Sequence, residues 1–149
     1  MDGGTVYGRG QWATSIRYHN GKFYLLFSPN DEPYRAYIYS SSDPATDKWQ
    51  LISRTPHFHD ASLFFDDDGR VYVFSGTGSL RELKSDLSDV KEGGVDMHIF
   101  ERDAEETGLL EGSQVVKYNG KYYLLMISWP KDGKRRQVCY RADNITGPY

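Results

Sequence analysis

Three stretches of the chain repeat one plan, and that plan limits the fold more than any other feature. They are "SIRYHNGKFYLLFS" from Ser15, "SLFFDDDGRVYVFS" from Ser62 and "SQVVKYNGKYYLLMIS" from Ser113. Each is an apolar strand, a glycine turn, a basic residue and an aromatic-rich strand. Asn20-Gly21, Asp68-Gly69 and Asn119-Gly120 are strong hairpin signals, because the tight two-residue turn needs positive φ. The turn glycines, Gly21, Gly69 and Gly120, stand 48 and 51 residues apart. Strand hairpins at a period of roughly 40–50 residues are the mark of β-propeller blades.

The segments after the hairpins fit the outer part of a blade. "YRAYIYSSSD", "SLRELKSD" and "RRQVCYRAD" are short, alternating and closed by polar turns, so they read as outer strands. No long helix is predicted; residues 101–108 make one helical turn or a charged surface loop. The chain therefore reads as all-β, a partial β-propeller of about three blades, whereas propellers close with about four to eight. Composition agrees: 12 Tyr and 7 Phe suit strands, and 15 Gly suit turns.

Charge and cysteine content exclude several partners. A net charge of −3 lacks the basic excess of a nucleic-acid binder. The single cysteine rules out an intrachain disulfide and a zinc-finger cluster, and Cys139 reads as an inert packing residue. The longest apolar run, Tyr122 to Ile127, is too short to span a bilayer, so no membrane partner is expected.

The candidate chemistry lies at the strand entrances. Asp60-Ala61 precedes Ser62 and Glu111-Gly112 precedes Ser113, at the same point of the repeat; Ala13-Thr14 holds that place before Ser15. The innermost strands of a propeller start near its central funnel. Asp60 and Glu111 are thus candidates for neighbouring funnel carboxylates. Such a pair fits glycoside hydrolysis, in which one acid protonates the leaving oxygen and a second carboxylate activates water. Turn capping or pairing with arginine would explain the same acids equally well.

The ordered runs "YGRGQWATSIRYHNGKFYLLFS", "HDASLFFDDDGRVYVFSG" and "LLEGSQVVKYNGKYYLLMIS", with the ending "NITGPY", resemble glycoside hydrolase family 43. The resemblance covers nearly the whole chain. It implies a five-bladed β-propeller that hydrolyses β-xylosides and α-L-arabinofuranosides with inversion, using three acids. On this resemblance Glu111 is the general acid and Asp60 the residue that tunes its pKa. Thr14, Ala61 and Ser113 stand where the family often has proline. No residue before Tyr7 matches the general-base motif, and Asp2 lacks the apolar strand that should follow it. The resemblance therefore implies that residues 1–149 are a fragment of one propeller catalytic domain, without its first and last blades, and inactive in isolation. It implies no cofactor in this chain; calcium at the centre belongs to the complete propeller. The expected partner is an oligosaccharide or polysaccharide substrate, with self-association through uncovered sheet edges as a further expectation. A noncatalytic glycan-binding propeller and a protein-interaction propeller are the competing functions.

Trp12, His59 and Arg81 are the candidate substrate-binding residues. Trp12 would stack on a sugar ring or pack in the core. His59 would bind a hydroxyl or the backbone, and Arg81 a substrate group or a surface acid. Phe58 reads as packing, as do Tyr34, Tyr37, Tyr39, Tyr122 and Tyr123. Asp66, Asp67 and Asp68 are consecutive, unlike calcium-loop ligands, so they read as a plain hairpin turn with no metal. Lys134-Arg135-Arg136 reads as solvated charge.

Overall fold

The computed structural model describes residues 10–99, 101–131 and 133–149. These form eleven strands: β1 (Ser15–His19), β2 (Lys22–Phe27), β3 (Arg35–Ser41), β4 (Gln50–Pro56), β5 (Ser62–Phe65), β6 (Val71–Ser75), β7 (Ser79–Leu83), β8 (Asp96–His98), β9 (Leu109–Tyr118), β10 (Lys121–Trp129) and β11 (Arg136–Ala142). They build three antiparallel sheets, in the orders β1-β2-β3-β4, β5-β6-β7-β8 and β11-β10-β9. The first strands of the three sheets sit side by side, β1 against β5 and β5 against β9. This is a propeller arc of three blades, as the repeat predicts. Among the described residues no helix is long and apolar enough to cross a membrane.

The side-chain period of two explains how one hairpin serves two cores. Successive residues on β5 and β6 point to opposite faces. Leu63, Val71 and Val73 pack with Leu26, Ala36 and Ile38 of the first sheet. Phe64, Tyr72 and Phe74 pack with Val115, Leu124 and Met126 of the third. The middle sheet is covered on both faces, so β6 is buried along its whole length and its sequence, VYVFS, does not alternate. On β10 burial does alternate, with Tyr122, Leu124, Met126 and Ser128 turned inward.

Polar contacts tie the blades together. Asp66 is 5% exposed. Its Oδ1 accepts from Lys117 Nζ of β9 at 2.6 Å, and its Oδ2 accepts from the Tyr122 hydroxyl of β10 at 2.6 Å. Ser15 Oγ accepts from the Leu63 N–H at 3.1 Å, joining the first blade to the second. Arg17 Nη2 donates to Gln114 Oε1 at 2.8 Å, and so connects β1 directly to β9 past the middle blade.

Several local expectations change. The first and third hairpins have both turn residues at positive φ, 47° and 79° at Asn20-Gly21 and 48° and 73° at Asn119-Gly120. The second does not. There Gly69 donates to Asp66 O and Asp66 donates to Arg70 O, and Gly69 is at a φ of 82°. This is a type I turn closed by a glycine bulge rather than the expected two-residue turn at Asp68-Gly69. Asp66 is thereby freed to reach the next blade, so it is more than a turn residue. Cys139 is exposed on β11 rather than packed. Tyr34 is 50% exposed, because it sits outside the strands at a φ of 50°. Residues 101–108 form no helix, and Glu106 within them is buried, accepting from Arg136 Nη2 at 2.6 Å and from Ser128 Oγ. Arg136 is therefore ion-paired rather than merely solvated.

Candidate active site

The anchoring of the segment before β5 explains why an acid stands there. Phe58 and Ala61 are buried at 2% and 5% exposure and hold the segment on both sides. Phe58 N–H donates to Ser28 Oγ at 3.2 Å, and Gly76 N–H donates to His59 O at 2.8 Å. With those ends fixed, His59 and Asp60 form the turn between them. Asp60 takes a φ of 44°, a left-handed conformation that aspartate tolerates better than most residues.

Glu111 arrives from the neighbouring blade. It is not at the entrance of its strand: β9 begins at Leu109, so Glu111 lies inside it, opposite Ile127. A register shift lies directly beyond it, between Leu125 and Ile127, with Gly112 at a φ of 72°. Such a bulge re-aims the side chains beside it. In the first hairpin the matching extension is reduced to one isolated bridge, Gln11 to Pro29, so the repeat is plain in the sequence only from Ser113.

These two pieces converge. His59 Nε2 lies 3.0 Å from Glu111 Oε2. One nitrogen or oxygen from each of His59, Asp60 and Glu111 falls within 4.8 Å of the others. The Trp12 ring meets the His59 ring edge-on at 5.2 Å and remains 41% exposed. Partial burial raises the pKa of Asp60, the negative charge of Glu111 adds to the rise, and His59 opposes it.

Calcium, which takes about six to eight oxygen ligands, does not fit this set of two carboxylates and one imidazole. Arg81, on β7, is ion-paired: its Nε donates to Asp96 Oδ1 at 3.0 Å, and its guanidinium lies 6.0 Å from the ring of Phe58, the residue before His59. Asp2 lies outside the described residues.

A cavity of about 410 Å³ opens beside the cluster, lined by His59, Thr77, Arg102, Leu109, Leu110 and Glu111. Arg102 and Thr77 carry no signal in the sequence, since they reach the cavity from loops outside the repeated hairpins.

The fold is a propeller arc, and His59, Asp60 and Glu111 form an acid cluster between two of its blades. The family model of glycosyl hydrolases family 43 matches residues 2–149, and the chain belongs to that family. Among solved structures, the bifunctional GH43-CE protein of Bacteroides eggerthii superposes with a TM-score of 0.87 at 42% identity, over 99% of this chain and 20% of that one. The extracellular endo-α-(1→5)-L-arabinanase 1 of Bacillus subtilis (strain 168) is 32% identical over 96% of this chain and 49% of its own length. A xylosidase/arabinosidase of Butyrivibrio fibrisolvens is 31% identical over 78% of this chain and 25% of its own. The chain thus spans between 20% and 49% of the length of these relatives.

Proposed function

We propose that this chain supplies the acid side of a glycosidase active site that releases terminal β-xylosyl or α-L-arabinofuranosyl residues with inversion. The observation that carries the reading is the convergence of Asp60, His59 and Glu111 from two adjacent blades. Glu111 donates a proton to the glycosidic oxygen as the bond from that oxygen to the anomeric carbon breaks. Water attacks the anomeric carbon from the opposite face and loses its proton to a base. Asp60 is not that base. An inverting acid and base stand about 6.5–9.5 Å apart to admit the water, whereas Asp60 and Glu111 approach within 4.8 Å. At that range Asp60 acts on Glu111 as a neighbouring charge, the tuning role. Trp12 offers an exposed aromatic face to the sugar ring.

The test is sugar release from xylobiose and from an arabinofuranosyl-xylooligosaccharide by the complete propeller that contains this chain, with Glu111→Gln as the control. Natural leaving groups are needed, because a nitrophenolate departs without help from an acid. Release should fall by at least about 100-fold in Glu111→Gln, the scale of general acid catalysis. Undiminished release in the variant would remove Glu111 from the acid role.

A further inference from the structure

Among the described residues, the Glu111 carboxylate makes one hydrogen bond, between its Oε2 and His59 Nε2 at 3.0 Å. The Glu111 side chain is 21% exposed and that of His59 40% exposed, so the contact lies at the edge of solvent, where a sugar could reach it. His59 is itself held on several sides. Its carbonyl accepts from Gly76 N–H at 2.8 Å, and the buried neighbours Phe58 and Ala61 anchor the chain around the His59-Asp60 turn. The Trp12 ring meets the imidazole edge-on at 5.2 Å. A donor fixed in this way stands in place before any charge develops beside it. Asp60 and His59 thus act on Glu111 differently: Asp60 acts through its charge, and His59 brings an N–H.

The direction of this hydrogen bond matters for the reaction. An ionised carboxylate only accepts, so with Glu111 charged the shared proton lies on Nε2. With Glu111 protonated the bond can run two ways. A proton on Oε2 would point at His59 and away from the sugar. If Nε2 keeps its proton, Oε2 is the acceptor and the acidic proton stands on Oε1, free to meet the glycosidic oxygen. In this second arrangement His59 keeps its proton throughout. The Oε1–H bond breaks, the O–H bond to the glycosidic oxygen forms, and the pair of the bond to the anomeric carbon stays on that oxygen. Meanwhile the contact from His59 changes from a neutral hydrogen bond to a charge-assisted one, roughly twice as strong. An interaction that strengthens on the way to the transition state raises the rate rather than the affinity for substrate.

We propose that His59 is the positioning residue of the acid: its Nε2–H holds Oε2 of Glu111, keeps the transferable proton on Oε1 and stabilises the carboxylate that remains. The inference rests on the reading of Glu111 as the general acid and adds a second group on which that acid depends. It gives His59 a role on the acid rather than on a substrate hydroxyl.

The test compares leaving groups in the complete propeller that contains this chain. The natural substrate, xylobiose or the arabinofuranosyl-xylooligosaccharide according to which is cleaved, needs its leaving oxygen protonated. The 4-nitrophenyl glycoside of the same sugar does not. His59→Phe keeps a ring against Trp12 and removes the N–H. It should lower kcat on the natural substrate at least about ten-fold, the scale of losing one donor to a developing charge at a partly exposed site, with KM little changed. Nitrophenolate release should stay within about two-fold, which also shows that the variant is folded. His59→Gln, whose amide places an N–H near the same point, should recover most of the lost rate. An unchanged kcat on the natural substrate in His59→Phe overturns the proposal. So does an equal fall on both substrates, the mark of a structural prop, or a rise in KM alone, the mark of a substrate contact. His59→Gln as slow as His59→Phe overturns the donor role as well. Glu111→Gln separates this inference from the one beneath it. A loss confined to the natural substrate keeps Glu111 as the acid whatever His59 does, whereas undiminished release removes the acid and the positioning role together.

Discussion

The contact between Asp66 and the third blade makes a sharp prediction about stability. Asp66→Asn keeps the shape of the side chain and an acceptor for the Asp67 N–H, but removes the charge facing Lys117. Breaking a fully buried ion pair costs about 3–5 kcal/mol, because the remaining charge stays desolvated. Two facts lower the figure here. The Lys117 side chain is 23% exposed, and Asp67 Oδ2 remains 3.0 Å from its Nζ. We expect a loss of about 2 kcal/mol, which for a chain of this size is about 4–8 °C in Tm. The effect should depend on pH. Burial raises the pKa of Asp66, but the hydrogen bonds from Lys117, Tyr122 and the Asp67 N–H outweigh it and bring the pKa below the ordinary value. A carboxyl with a lowered folded pKa contributes stability above its unfolded pKa of about 3.9, and loses it as pH falls through the folded value. Thermal unfolding by near-ultraviolet circular dichroism, at pH 7 and in steps down to about pH 3, measures both effects. A difference below about 0.5 kcal/mol at pH 7, or one that grows on acidification, would refute the reasoning.

Three further substitutions probe other parts of the fold and site. Tyr72 is fully buried, its hydroxyl has no partner among the described residues, and burial pushes its pKa up to about 12; Tyr72→Phe should therefore stabilise the protein by about 1 kcal/mol in urea unfolding, and a loss would show that the hydroxyl is satisfied. A Cβ at Gly108 would stand 1.9 Å from the Trp129 carbonyl oxygen, so Gly108→Ala should cost about 2–3 kcal/mol in the same assay. Asp60→Asn tolerates the left-handed backbone and removes a carboxyl whose pKa burial and Glu111 raise. The stability linked to a raised carboxyl pKa is present below the unfolded value and lost as pH rises through the folded one, so the variant should gain on the unaltered protein between pH 4 and pH 7 in denaturant titrations.

The residues legible in the sequence are those whose role is local. Asn20-Gly21 and Asn119-Gly120 dictate their turns through backbone preference alone, whereas the unbroken apolar run from Tyr122 to Ile127 marks a strand without saying which side of β10 is buried. The turn after β5 departs from its sequence expectation because Asp68-Gly69 has the same letters as a two-residue hairpin, whereas Asp66 and Arg70 close a longer one. Asp60 and Glu111 stand out by their place in the repeat, yet the 3.0 Å approach of His59 to Glu111 depends on how two blades meet, which no short motif encodes. Glu106 looks like one acid in a charged loop, and only the fold shows Arg136 and Ser128 converging on it. Arg102 is invisible in the sequence for the same reason.

The hydrogen bond from Arg17 to Gln114 has a consequence for how the molecule unfolds. An array in which each repeat touches only its neighbours can lose a terminal unit while the rest stays intact, as a row of weakly coupled segments. A link between the first and third sheets breaks that rule. Peeling away the β1-β2-β3-β4 sheet also releases Gln114 on β9, three residues from Glu111, so damage at one end is felt at the other. The three sheets should then melt in a single cooperative transition, with hydrogen-exchange protection at β1 and β9 lost together.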